Sequence, residues 1–207
     1  NSTWQNISWF TELCYGCELP NGSTVEQGDF LRPVNMTGNV LLAHLNELSG
    51  NVTDYSGYNN TGITKTSGVG AFEGPEYGAQ GKFNKSFDFD AGLGSNGEFI
   101  NFSRPPQLSN FGNQFTLEAW IYPQLFNTPA GSPTIIDKDP RALSFYISDG
   151  ASNFLTLILD TSAGAVQTYT GNVDISINQW HHVLASYNGS QVRLYVDNSL
   201  DSSFSRT

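Results

Sequence analysis

The feature that most constrains this chain is a two-residue rhythm that never lasts long. In Phe115-Thr116-Leu117-Glu118-Ala119-Trp120-Ile121-Tyr122 the odd positions share one side of an extended strand and the even positions the other. In Val192-Arg193-Leu194-Tyr195-Val196 the three aliphatic residues share a face. Gly, Asn, Pro and Asp end each such run. This pattern predicts short strands at 40–45, 62–64, 86–89, 99–102, 115–122, 134–137, 143–147, 154–160, 166–169, 180–187 and 191–196. No helical period outlasts about one turn. Many short strands with regular turn signals predict an all-β, two-sheet antiparallel sandwich.

Composition supports that reading by exclusion. Charged residues make up 14% of the 207, against a usual share of about 25%. Helical bundles and coiled coils need more Glu, Lys and Ala than this. Aromatic residues reach 13%, too many for a chain that stays unfolded. The net charge is −10, with no basic run, so nucleic acid and anionic membrane are poor partners. No apolar run approaches the ~18 residues of a membrane span. The chain starts at Asn1 without Met or a leader, which reads as a processed or excised piece.

Nine Asn-x-Ser/Thr sequons occur, at Asn1, Asn6, Asn21, Asn35, Asn51, Asn59, Asn84, Asn101 and Asn188. Random order would give roughly four. The excess predicts an exported glycoprotein, extracellular or at the cell surface. The two cysteines, Cys14 and Cys17, flank Tyr15-Gly16. In an oxidising compartment, and without a βαβ pattern, they read as a local disulfide. Residues 1–38 stand apart as an N-terminal extension holding this loop, Trp4, Trp9 and four of the sequons; residues 39–207 form the sandwich.

Five blocks in order carry a resemblance: VLLAHLNELSG, DYSGYNNTG, FNKSFDFDAG, FTLEAWIYP and QWHHVLASYNGSQVRLYVDN. Together they resemble the laminin-G-like, concanavalin A-like lectin/glucanase superfamily across residues 39 to 200. Pentraxins share the Trp-His-His-Val and Leu-Tyr-Val-Asp strands. The resemblance implies a jelly roll of two curved antiparallel sheets. Relatives continue past the Leu-Tyr-Val-Asp strand with further strands, whereas this chain stops at Thr207. The expectation is a sandwich lacking its last strands and exposing unpaired edges to copies of itself or other chains.

Glucanases of this type carry Glu-x-Asp-x-x-Glu on one strand, with paired carboxylates about 5 Å apart. That spacing is absent here, and Glu118 stands among apolar neighbours. No Ser/His/Asp arrangement is visible in the sequence. His182 reads as a core or inter-sheet residue, and Trp120 and Trp180 as core residues. The loop Asp54-Tyr55-Ser56-Gly57-Tyr58-Asn59-Asn60-Thr61 is rich in oxygen donors. It fits a calcium site or an Asx turn satisfying its own backbone. The resemblance implies calcium beside this loop, with Asp54, Asn60 and Glu47 as ligands and Asp90 as a further candidate. Tyr55, Tyr58 and Tyr77 lie in loops that could form a platform for a sugar. The functional expectation is a non-enzymatic recognition or adhesion module for a glycan or a cell-surface protein. The alternative is a structural subunit of a surface assembly or filament joined by strand exchange. A glycan-cleaving enzyme is the third reading.

Overall fold

A computed structural model describes residues 37–66, 74–90, 97–103, 106–109, 112–126, 131–138, 143–148, 150–160 and 166–206. Twelve strands and one four-residue helix are formed among them. They fall into two compact units, the first drawn from residues up to 65, 75–88 and 100–108, the second from 66–74, 89–99 and 109–207. The extension at 1–36 and the Cys14–Cys17 pair lie outside the described residues.

The second unit holds the sandwich. One sheet is ordered β12-β11-β10-β5, built from β5 (Phe115–Ile121), β10 (His181–Tyr187), β11 (Gln191–Val196) and β12 (Ser199–Ser205). The other is ordered β6-β7-β8-β9, from β6 (Thr134–Lys138), β7 (Leu143–Ile147), β8 (Phe154–Asp160) and β9 (Val166–Asp174). The ladders within both sheets are antiparallel.

The alternation read from the sequence explains why the sheets stack. Leu117, Val183, Ala185, Val192, Leu194 and Val196 share the inner face of the first sheet. They meet Leu143, Phe145, Ile147, Leu155, Leu157 and Leu159 of the second. Burying a side chain of that size fully contributes about 1.5–3 kcal/mol, so this layer supplies the main driving force for the unit. Tyr169 joins the core because its hydroxyl finds Gln167 Oε1, leaving no buried donor unmet.

The first unit is smaller. Its β2 (Glu76–Gln80) and β3 (Lys85–Asp88) form a hairpin. A two-stranded sheet joins β1 (Ile63–Thr66) to β4 (Glu98–Asn101), of which residues 63–65 and 100–101 belong to this unit. The helix is α1 (Pro106–Ser109).

Three differences from the sequence reading stand out. Residues 40–45 form no strand, because their backbone is spent on the following loop, as described below. β2 was not foreseen: Gly78 interrupts it at a positive φ of 79°, and the ladder register shifts there. β12 was not foreseen either, so the Leu-Tyr-Val-Asp strand does not end its sheet. The Asp197-Asn198 turn, with φ of 47° and 63°, folds the chain back into β12. Positive φ at both central residues is the backbone of a tight hairpin turn.

Candidate functional site

The loop after Val52 is closed by a two-way backbone bridge: Val52 N donates to Gly62 O at 2.8 Å and Gly62 N to Val52 O at 2.9 Å. Val52 is fully buried and anchors it. Asp54 sits at its centre, 6% exposed. Its Oδ1 accepts the N–H groups of Leu42 at 3.0 Å and Ser56 at 2.9 Å. Its Oδ2 accepts Ser56 Oγ at 2.8 Å and the Asn60 N–H at 2.9 Å. Burial pushes this carboxyl upward, but the Leu42, Asn60 and Ser56 N–H groups and the Ser56 hydroxyl outweigh it. They hold the carboxyl below its usual value.

Asn60 is also buried and donates from Nδ2 to Val40 O at 2.7 Å. Tyr55 N donates to Leu42 O at 2.7 Å. Asp54 and Asn60 therefore clamp residues 40–42, which is why that apolar run joins no ladder.

This arrangement bears directly on calcium. A carboxylate offers about four lone-pair positions, and Asp54 already accepts four donors. Asn60 spends its amide on the backbone. Glu47 Oε1 accepts the Thr53 N–H at 2.8 Å, while its Oε2 is buried and unbonded. Asp90 belongs to the other unit, where its own N–H donates to Glu98 Oε2 at 2.8 Å. Among the described residues no group of three or more His, Cys, Asp or Glu is placed to hold a metal. As arranged, Asp54 and Asn60 do not fit a calcium ion without giving up hydrogen bonds that shape the loop.

The tyrosines of the first unit are partly occupied as well. Tyr77 donates to Gly50 O at 2.6 Å, bonds Thr64 Oγ1 at 3.0 Å and packs its ring on Phe87. Tyr55 meets His44 edge-on at 4.4 Å. Tyr58 is 49% exposed.

A different aromatic group lies on the second unit. Because Leu117, Ala119 and Ile121 face the core, Glu118, Trp120 and Tyr122 must face away from it. Across the β5–β10 ladder His182 sits opposite Trp120, their ring centroids 5.1 Å apart. His182 Nε2 lies 3.8 Å from Glu118 Oε2. Tyr122 packs against Trp180 at 5.5 Å. Trp120, Trp180 and His182 are thus outside the core, contrary to the sequence reading, and the buried histidine is its neighbour His181. Two indoles, a phenol, an imidazole and a half-exposed carboxylate share this region. Ring faces can stack on the C–H face of a pyranose while carboxylate and imidazole bond its hydroxyls.

The structure also brings together a serine, a histidine and an aspartate that the sequence reading did not connect. His181 Nε2 lies 3.1 Å from Ser176 Oγ and its Nδ1 2.8 Å from Asp197 Oδ2. Asp197 reaches it through the β11–β12 turn, a link no local spacing displays.

Two packed antiparallel sheets define a β-sandwich module. The sequence profile of the concanavalin A-like lectin/glucanases superfamily matches residues 94–207, more than half of the chain. The chain belongs to that superfamily. No curated protein matches it in sequence. Among solved structures it is similar to the crystal structure of a candidate carbohydrate binding protein from Bacteroides ovatus, at 19% identity and a TM-score of 0.37. That likeness covers 45% of this chain and 26% of the other, so the chain spans about a quarter of that structure's length.

Proposed function

We propose that this chain is an extracellular, glycosylated module that binds glycans through the outer face of its β5–β10 pair, without cleaving glycosidic bonds. The observation that carries the reading is the Trp120–His182–Glu118 group with the Tyr122–Trp180 pair beside it. Membership of a superfamily of lectins and glucanases favours a sugar over another ligand. The net charge of −10 disfavours acidic polysaccharides, so neutral glycans are the expected class.

The sequons support the compartment. Asn51, Asn59, Asn84, Asn101 and Asn188, the five within the described residues, are all exposed, as attachment requires. Among the described residues no helix is long and apolar enough to cross a membrane.

Screening on a glycan array tests the binding. Trp120→Ala is expected to weaken binding to any neutral glycan retained by the native protein by about tenfold or more, which is ~1.4 kcal/mol. Unchanged binding by a folded variant removes this face as the site. Glycopeptide mapping of the native protein is expected to find sugar on Asn51 and Asn59; unmodified peptides at all five positions would refute the compartment.

A further inference from the structure

We propose that Ser176, His181 and Asp197 form a nucleophilic relay able to transfer an acyl group from a small ester to water. This activity is separate from glycan binding and independent of it.

The hydrogen-bond directions follow from the donors. The Gln179 amide nitrogen can only donate, and it donates to Ser176 Oγ. The serine's own proton is then free to point at His181 Nε2, 3.1 Å away. The Asp197 carboxylate can only accept, so His181 Nδ1 carries the proton that bonds its Oδ2 at 2.8 Å, and in the neutral ring Nε2 is then the bare nitrogen. Asp197 is fixed in turn: its Oδ1 accepts the His182 N–H at 2.9 Å, and its own N–H donates to His182 O at 2.8 Å. A hydroxyl facing a bare imidazole nitrogen, with a carboxylate orienting the far side of the ring, is the arrangement that activates a serine.

Placement favours reaction over mere bracing. Ser176 is on the surface while His181 is 5% exposed, so the nucleophile meets solvent and the base is shielded. Ile177, the next residue, is 45% exposed and offers an apolar neighbour for an acyl or aryl group. The Gln179 amide has a second hydrogen. It can bond the carbonyl oxygen as negative charge grows there.

The step balances. Ser176 Oγ attacks the ester carbonyl carbon and its proton passes to His181 Nε2. The C–O bond to the alcohol breaks and that alcohol leaves with the same proton. Water then attacks the acyl-serine, giving up a proton to His181, and the carboxylic acid departs as Ser176 regains its hydrogen. No oxidant or metal is required.

The full-length protein serves for the test. A fluorophosphonate probe with peptide mapping should label Ser176 at least about 100-fold faster than Ser190, the scale of general-base assistance. Ser190 is an apt internal control: it is exposed in the β10–β11 turn and its hydroxyl donates to an Asn188 carboxamide oxygen, with no imidazole bonded to it among the described residues. His181→Asn should bring Ser176 down to the Ser190 rate. Because His181 is buried, Ser176→Ala supplies a second readout. It should abolish p-nitrophenyl acetate hydrolysis while leaving thermal unfolding unchanged. Equal labelling of the two serines, or hydrolysis that survives Ser176→Ala, overturns the proposal.

Discussion

A single carboxylate organises the first unit. Asp54 supplies the acceptors that the backbone N–H groups of Leu42, Ser56 and Asn60 would otherwise lack. Asp54→Asn keeps the shape but swaps one acceptor for a donor facing another donor. The expected loss is about 1–3 kcal/mol of stability, read from urea unfolding. The same residue sets an acid limit. Its folded value is depressed, so its contribution is complete above the unfolded carboxyl range, near about 3.9. It falls away as pH drops through the lower folded value. In Asp54→Asn that part of the acid dependence should vanish, and thermal scans between pH 2 and 5 check it. An acid limb identical to that of the native protein would show that other groups control it.

At the scale of elements, the legible strands were those whose alternation ends cleanly in turn residues. β7, β8 and β11 match the sequence reading to the residue because Leu143–Ile147, Phe154–Asp160 and Gln191–Val196 bury every second side chain or more. β12 was hidden because Ser199–Ser205 is rich in serine. Its place is fixed by Asp201, whose Oδ1 accepts the N–H groups of Asn172 at 2.7 Å and Val173 at 3.1 Å. Those are polar contacts that hydrophobic periodicity cannot register. Gly171 admits them, since a Cβ there would overlap the Asp201 carboxylate. The outer-face aromatic group was half legible. Parity already set Trp120 opposite Leu117 and Ile121, but the tendency of Trp to be buried outweighed it. The serine relay was not legible at all, because it depends on a turn that folds Asp197 back beside His181.

At the scale of the molecule, the first sheet joins neighbours of very unequal separation. β10, β11 and β12 are consecutive and meet through tight turns. β5 pairs with β10 across a long span, from Ile121 opposite His181 to Phe115 opposite Tyr187. The whole β6–β9 sheet lies inside that span. Closing a loop costs entropy that grows with its length, by ≈ 0.6 kcal/mol for each doubling, and contacts between distant residues slow folding. The order of assembly follows: the two local meanders form first, and β5 docks last as the clasp that seals the core. Leu117→Ala on β5 should therefore act mainly by speeding unfolding. Leu194→Ala, within the local meander, should also slow refolding. Stopped-flow chevrons of the two variants separate the cases, and an equal slowing of refolding by both would reverse that order. A clasp that closes late also opens early, so β5, which carries Glu118 and Trp120, is the strand through which the core would first admit water.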